Sequence, residues 1–405
     1  MLRDVAPSSL LTGVTVLDFT RVLAGPYCTR LLADLGARVI KIERPGDGDE
    51  MRKGYLQLEE GREDQSTYFI RINAGKLSVA IDLANPAARP LVADLTRRAD
   101  VVVENFVPGV MSKLGCDYDA LSAIKPDIVY CSISGFGQTG PWRQWPAFAH
   151  IVHAVSGLTY LEQAADPEPR VAYLQAADVY AATNAFGAIV AGLFRRERTG
   201  RGAYLDVSML ESLVASEDIT FGSVLNGGAE YLGPRPGMVV HRIGDRYLAM
   251  QTVGAPDLWA RMVRLMERPE LASDPRFATP RARRENWPAI RALIVAWLDR
   301  FKTVDDALAA LGAARVPCAP VLSPSEVVEL PQLEARQAFP AVEQPKRGTV
   351  RVTAPPFHVD RHPVAPAAGA PYRPGEHTRA VLRDVLGYSA AQIDELVAAK
   401  AIAAP

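Results

Sequence analysis

The chain has 405 residues, 48% of them hydrophobic and 22% charged, with 45 basic and 46 acidic side chains for a net charge of −1. That length allows two to three domains, and the composition excludes a disordered or fibrous chain. No basic excess marks a nucleic-acid binder, so the expected partners are small molecules or further copies of the chain.

The N-terminus, MLRDVAPSSLL, has no apolar h-region and no cleavage signature, so no signal peptide is expected. Val14–Phe19 (VTVLDF) reads as a strand, residues 26–35 as a helix with Pro26 at its start and Gly36 at its stop, and residues 38–42 (RVIKI) as the next strand. Together they form a right-handed βαβ unit. Ser78–Asp82 continues the pattern as a strand, Asn85-Pro86 caps a helix through Arg97, and Val101–Glu104 (VVVE) and Ile128–Ser134 are further strands. Such alternation predicts a mostly parallel sheet covered on both faces.

A long apolar helix is expected over 177–198, closed by Gly200, then a strand at Ala203–Ser208 and a helix from Met209. Asp178, Thr183 and Asn184 interrupt its apolar character, so it reads as a core helix rather than a membrane span. From about residue 225 the texture becomes loop-rich, followed by a hairpin at 241–252 turning at Gly244-Asp245 and helices at 256–266, 287–300 and 303–311. Residues 1–224 thus read as a large α/β domain and 225–330 as a smaller α+β domain. Residues 331–405 read as a Pro/Ala-rich return linker and a C-terminal part, with Ser389 and Gln392 forming a capping box before the apolar run 393–402.

Cys28, Cys116, Cys131 and Cys318 are widely spaced, which argues against a zinc site or a disulfide framework and for free thiols in a reducing cytoplasm. His150 and His153 stand at i and i+3 on a probable helix, but no third metal ligand accompanies them; both read as ordinary core or surface histidines. Ligands of parallel α/β sheets sit beyond the carboxyl ends of the strands. Here those ends carry residues 20–25 (TRVLAG), 43–46 (ERPG), 104–109 (ENFVPG) and 134–138 (SGFGQ). None is GxGxxG and no Walker A pattern occurs, which removes the usual support for a nicotinamide oxidoreductase or a nucleotide triphosphatase.

Five blocks in order carry a resemblance. They are residues 11–49 (LTGVTVLDFTRVLAGPYCTRLLADLGARVIKIERPGDGD), 101–115 (VVVENFVPGVMSKLG), 132–141 (SISGFGQTGP), 176–212 (AADVYAATNAFGAIVAGLFRRERTGRGAYLDVSMLES) and 374–389 (PGEHTRAVLRDVLGYS). The chain resembles the family III (CaiB/BaiF) CoA-transferases, and within them the succinyl-CoA-dependent dicarboxylate enzymes. The resemblance implies an interlocked, ring-like homodimer. Each chain then has a Rossmann-like large domain built from both termini and a small domain between them. CoA and acyl-CoA are substrates, no cofactor is held permanently, no metal, nucleic acid or membrane is involved, and the location is cytoplasmic.

The same resemblance implies that Asp178 is the nucleophile, forming an acyl-aspartyl anhydride and then an aspartyl-CoA thioester. By itself Asp178 reads equally as the N-cap of the following helix. Arg44, Asn105, Phe106, Lys113, Ile81, Ser134 and Phe136 match positions lining the CoA groove. Lys113 replaces a frequent Arg and so loses the bidentate fork. Without the resemblance, Arg44 and Lys113 read as solvated charges, and Asn105 and Phe106 as shaping the turn before Pro108. Arg21 is a candidate substrate or CoA contact. Leu23 stands where some relatives have an active-site Gln, which weighs against formyl or oxalyl specificity. Gly254 or Ala255, in the glycine-poor stretch 250–256, are candidate oxyanion donors or part of a plain strand-to-helix turn. Arg21, Arg71 and Arg170 are candidates for a distal carboxylate, with succinate, malate, citramalate or glutarate as the expected acids. Two alternatives remain. A 2-methylacyl-CoA racemase pairs its Asp with an upstream His, but that position here is Phe148. A non-catalytic CoA-binding homologue is the other, and the intact Asp178 weighs against it.

Overall fold

A computed structural model of the chain describes residues 10–54, 56–61, 63, 66–163, 172–217, 220–230, 236–252 and 257–405. The chain forms two compact units, residues 1–231 with 332–405, and residues 232–331.

Six parallel strands build the larger unit: β1 (Thr15–Asp18), β2 (Arg38–Glu43), β3 (Leu77–Ile81), β4 (Val101–Glu104), β5 (Val129–Ser134) and β6 (Ala203–Ser208). Their order across the sheet is β3-β2-β1-β4-β5-β6. The chain runs outward from β1 through β2 to β3, then returns to lay β4 on the other side of β1. That reversal leaves a crevice beyond the carboxyl ends of β1 and β4, where ligands of such sheets bind. A terminal strand, Ile402–Ala403, pairs antiparallel with Ile81 and Ala80 of β3.

Alternate residues of these strands feed two cores. Val16, Val39, Val101, Val103, Val129, Cys131 and Ile133 pack against helices Ala24–Asp34, Ala149–Val155, Ala176–Thr199 and Met209–Ser216. Leu17, Ile40, Ile42, Val79, Val102 and Tyr130 face helices Arg89–Arg98, Tyr118–Ile124, Thr378–Leu386 and Ala390–Ala398. Both faces are covered, so the strands are apolar throughout rather than alternating. Ala176–Thr199 is long and apolar enough to span a bilayer by length and composition. Its Ala177, Ala181, Ala182, Ala185 and Ile189 instead lie in the first core.

Charged residues buried within this sheet pair with one another. Asp18, Lys41 and Lys76 are fully buried. Lys76 Nζ lies 3.0 Å from Asp18 Oδ2 and donates to Asn73 Oδ1 at 2.8 Å. Thr29 Oγ1 donates to Asp18 at 2.7 Å. Lys41 Nζ pairs with Asp49 at 3.0 Å. Glu43 receives both Arg52 Nε and Nη2, and Ser78 Oγ. Burial alone would raise the Asp18 carboxyl, but the Lys76 and Lys41 ammonium groups and the Thr20 and Thr29 hydroxyls outweigh it and hold its pKa below the usual range.

The smaller unit holds an antiparallel hairpin, Met238–Ile243 with Arg246–Gln251, extended by Cys318–Pro320. Helices Leu258–Leu265, Trp287–Leu298 and Val304–Ala313 pack on it around Trp259, Met262, Trp287, Ile290 and Trp297. The return segment carries more structure than its composition predicts. Ala341–Gln344 and Gly348–Arg351 form a hairpin whose turn places Lys346 and Gly348 at positive φ. Its Val342 and Val350 pack on Phe69 and Ile70, and Arg30 Nη2 donates to Thr353 O at 3.2 Å. The capping box of Ser389 and Gln392 is present, but the helix stops at Ala398 rather than running to residue 402. Lys400, at φ 56°, turns the chain back so that Ile402 joins the sheet. Similarly, Asn85 caps only the 3₁₀ turn Pro86–Ala88, and the α-helix follows at Arg89.

Removing one member of a buried ion pair strands the other. Lys76→Met is expected to cost about 3–5 kcal/mol in urea unfolding of the larger unit, and the double variant Asp18→Asn, Lys76→Met to recover most of it.

Candidate functional site

The loop after β1 is held at nearly every polar backbone atom. Thr20 N donates to Asp18 Oδ1 at 2.9 Å, and Thr20 O accepts from Lys41 Nζ at 2.7 Å. Arg21 N donates to Asn105 Oδ1 at 2.9 Å, while Asn105 Nδ2 donates back to Arg21 O at 2.8 Å. Val22 sits at φ 68°, a left-handed conformation that β-branched residues avoid. Its N–H points to Asp49 Oδ1 at 3.4 Å. Helix Ala24–Asp34 starts at once, with Leu23 as a buried N-cap that offers no side-chain bond. Gly25 is required by space: a Cβ there would lie 2.3 Å from Thr20 Cβ.

Opposite stands Asp178. Helix Ala176–Thr199 begins two residues before it, with Gln175 at the N-cap. Asp178 is therefore inside the first turn, and the N-cap reading is corrected. The backbone N–H groups of Ala24 and of Asp178 itself lie close enough to favour its charged form. Burial nevertheless dominates and pushes its pKa up to about 6. Tyr68, from helix Thr67–Asn73, faces it: burial first, and then the Asp178 charge, push the Tyr68 phenol up to about 12. Tyr68 Oη donates to Gln175 Oε1 at 3.3 Å.

The loop that ends at Ala24 begins in a cavity of about 440 Å³ lined by Thr20, Arg21, Arg44, Lys53 and Phe106, with Asp47 and Glu50. Arg21 pairs with Glu50 at 2.8 Å and lies 5.3 Å over the Phe106 ring. The structure thus gathers Arg21, Arg44 and Phe106 at one opening, with Asn105 clamping the loop beside them. Lys113 is exposed on the short helix Val110–Leu114 and lines no described cavity. Ile81 is buried in the core of β3 rather than facing an opening. Ser134 Oγ accepts from Gly137 N at 3.0 Å, and Phe136 packs against Trp142 and Trp145. Arg71 is exposed near Tyr68. Gly254, Ala255 and Arg170 lie outside the described residues. A second cavity of about 390 Å³ lies against Glu104, Tyr118, Tyr130, Ser132 and Tyr204. Burial pushes the Glu104 carboxyl up to about 7. Among the described residues, no group of three potential ligands fits a metal.

Sequence reasoning passed over Lys41, Asp49, Tyr68 and His153. A signal existed for Lys41, since a lysine inside a strand buried on both faces must have a partner. None existed for Tyr68, whose approach to Asp178 is purely tertiary. His153, paired in sequence with His150, reads as an ordinary core or surface histidine, yet its Nε2 accepts from Ala177 N, next to Asp178, at 3.1 Å.

Comparison with known proteins identifies relatives of the whole chain. The model of CoA-transferase family III matches residues 11–378. Succinyl-CoA:glutarate CoA-transferase of Mus musculus is 33% identical over 398 residues, spanning 96% of this chain and 89% of that protein. Acetyl-CoA:oxalate CoA-transferase of Acetobacter aceti is 37% identical over 337 residues, spanning 82% and 85%. The crystal structure of a CaiB/BaiF family protein from Brucella suis superposes with a TM-score of 0.78 at 30% identity, covering 94% of this chain and all of that one.

The geometry sets a titration. The Asp178 carboxylate is expected to protonate with a midpoint near 6, about two units above a free aspartate. The pH dependence of carbodiimide labelling at that residue, with Asp178→Asn as the blank, checks it; a midpoint near 4 contradicts the buried setting.

Proposed function

The chain belongs to CoA-transferase family III, and we propose that it moves CoA from an acyl-CoA donor, succinyl-CoA, to a small carboxylic or dicarboxylic acid through covalent intermediates on Asp178. The observation that carries the reading is the clamped loop after β1, whose start lines the Arg44–Phe106 cavity and whose end, at Ala24, comes near enough to Asp178 to favour its charged form.

A carboxylate with a pKa of about 6 is about nine-tenths ionised at pH 7, yet more basic than a solvated aspartate. It attacks the donor thioester carbonyl; the C–S bond breaks, giving an acyl-aspartyl anhydride and CoA thiolate. The thiolate attacks the aspartyl carbon and releases the donor acid, leaving an aspartyl-CoA thioester. The acceptor carboxylate attacks that thioester to form a new anhydride and free the thiolate. Attack of the thiolate on the acceptor carbonyl yields the new acyl-CoA and restores Asp178. Each attack places negative charge on a carbonyl oxygen, and a fixed backbone N–H such as that of Ala24 is the kind of donor that stabilises it. Arg44 and Lys53 supply positive charge for the CoA phosphates, Phe106 an apolar wall for the pantetheine arm, and Arg21 or Arg71 a partner for a distal carboxylate. The glutarate and oxalate acceptors named for the relatives support a small diacid.

A homodimer is part of the reading. Helix Ala176–Thr199 leaves Phe194 63% and Tyr180 42% exposed, and Phe148 and Trp145 are 69% and 51% exposed. Large exposed apolar side chains that join into a patch mark association surfaces.

Incubation with acyl-CoA and carboxylate panels, read by mass spectrometry, should show exchanged thioesters. It should also show an Asp178-linked adduct that hydroxylamine releases, and a loss of at least 10³-fold in Asp178→Ala. Undiminished exchange in that variant removes the nucleophile. In sedimentation, the wild type is expected to run as a dimer and Phe194→Glu to shift toward monomer; a wild-type monomer at micromolar concentration removes the homodimer.

A further inference from the structure

The first turn of an α-helix leaves backbone N–H groups without partners inside the helix. In Ala176–Thr199 the N-cap residue, Gln175, makes no side-chain cap bond. Its amide oxygen is taken by Tyr68 Oη. One N–H is served from another helix: Ala177 N donates to His153 Nε2 at 3.1 Å. His153 is 1% exposed, on helix Ala149–Val155, beside Val152, which packs in one core with Ala177 and Ala181.

A backbone N–H can only donate, so Nε2 must carry a lone pair and the ring proton sits on Nδ1. Burial, with His150 next to it, favours that neutral ring. Among the described residues Nδ1 has no hydrogen-bond partner. A buried donor left unpaired is costly, and leucine would fill the same space without it. Packing alone therefore does not account for the imidazole; its one hydrogen bond, to the residue before Asp178, does.

We propose that His153 is a positioning residue for the nucleophile: its Nε2 lone pair holds Ala177 N–H, fixes the first turn of the helix, and so sets the direction of the Asp178 carboxylate. The same bond keeps Ala177 N–H from turning to the carboxylate. Fewer donors on the carboxylate leave it more basic and more nucleophilic. The inference rests on the reading of Asp178 as nucleophile, so its test has one arm that needs no turnover.

In that arm, ¹⁵N-histidine-labelled wild-type protein at neutral pH should show one ring with an unprotonated Nε2, missing from His153→Gln. Hydrogen exchange at the Ala177 amide should speed up at least tenfold in His153→Leu and stay within threefold of wild type in His153→Gln, whose amide oxygen can take over as acceptor. In the turnover arm, His153→Leu should lower kcat at least tenfold with KM for acyl-CoA within twofold, and His153→Gln should restore most of kcat. A protonated Nε2, or leucine and glutamine variants equal in both exchange and kcat, overturns the proposal. If His153→Leu does not fold, the ring tautomer and the glutamine variant still decide it. Wild-type protein that transfers no CoA removes the reaction reading, while the exchange arm still reports on His153.

Discussion

The pairing of Asp18, at the end of β1, with Lys76, beside the buried pair of Lys41 with Asp49, is the constraint on which the site depends. Charges taken out of water persist only if each finds a fixed partner. Meeting that condition fixes the geometry of everything around them. Asp18 holds the Thr20 amide, Lys41 holds the Thr20 carbonyl, and Asp49, paired to Lys41, lies at the Val22 amide. With Asn105 on both polar atoms of Arg21, the backbone is driven through the left-handed Val22 and delivers Ala24 N–H to Asp178. Local strain of this kind survives only where the surroundings over-determine it.

The elements that position the site were largely legible. Strands such as VVVE and RVIKI announced a parallel sheet because burial on both faces demands continuous apolar runs, and the Gly200 stop closed the long helix where expected. What escaped were features set by contacts distant in sequence. Asp178 reads as a cap because it precedes an apolar stretch, but Gln175, occupied by Tyr68, begins the helix earlier. The hairpin at 341–351 is hidden because its strands are short and lean on Phe69 and Ile70 from far upstream. Ile81 matched a motif position, yet its side chain points into the core, which a motif cannot report.

Family membership and geometry act on different questions. The similarity to glutarate and oxalate transferases establishes the class of reaction. On the proposed reading of Asp178 as nucleophile, the chain's own structure accounts for the reactivity of a common residue type. A helix N-terminus stabilises a nearby anion and would lower a carboxyl pKa; at Asp178 burial prevails, so the carboxylate stays charged at neutral pH without becoming inert.

The antiparallel strand Ile402–Ala403 closes the outer edge of β3. An open parallel edge presents unpaired amides and carbonyls that template pairing between molecules. Here the guard is encoded after almost all the rest of the fold, whereas β3 leaves the ribosome early. Throughout elongation the nascent chain carries that edge bare, and neither helix Thr378–Leu386 nor Ala390–Ala398 is yet available to cover its face. The order of synthesis therefore leaves a long interval in which this edge stays open to pairing with a neighbouring chain.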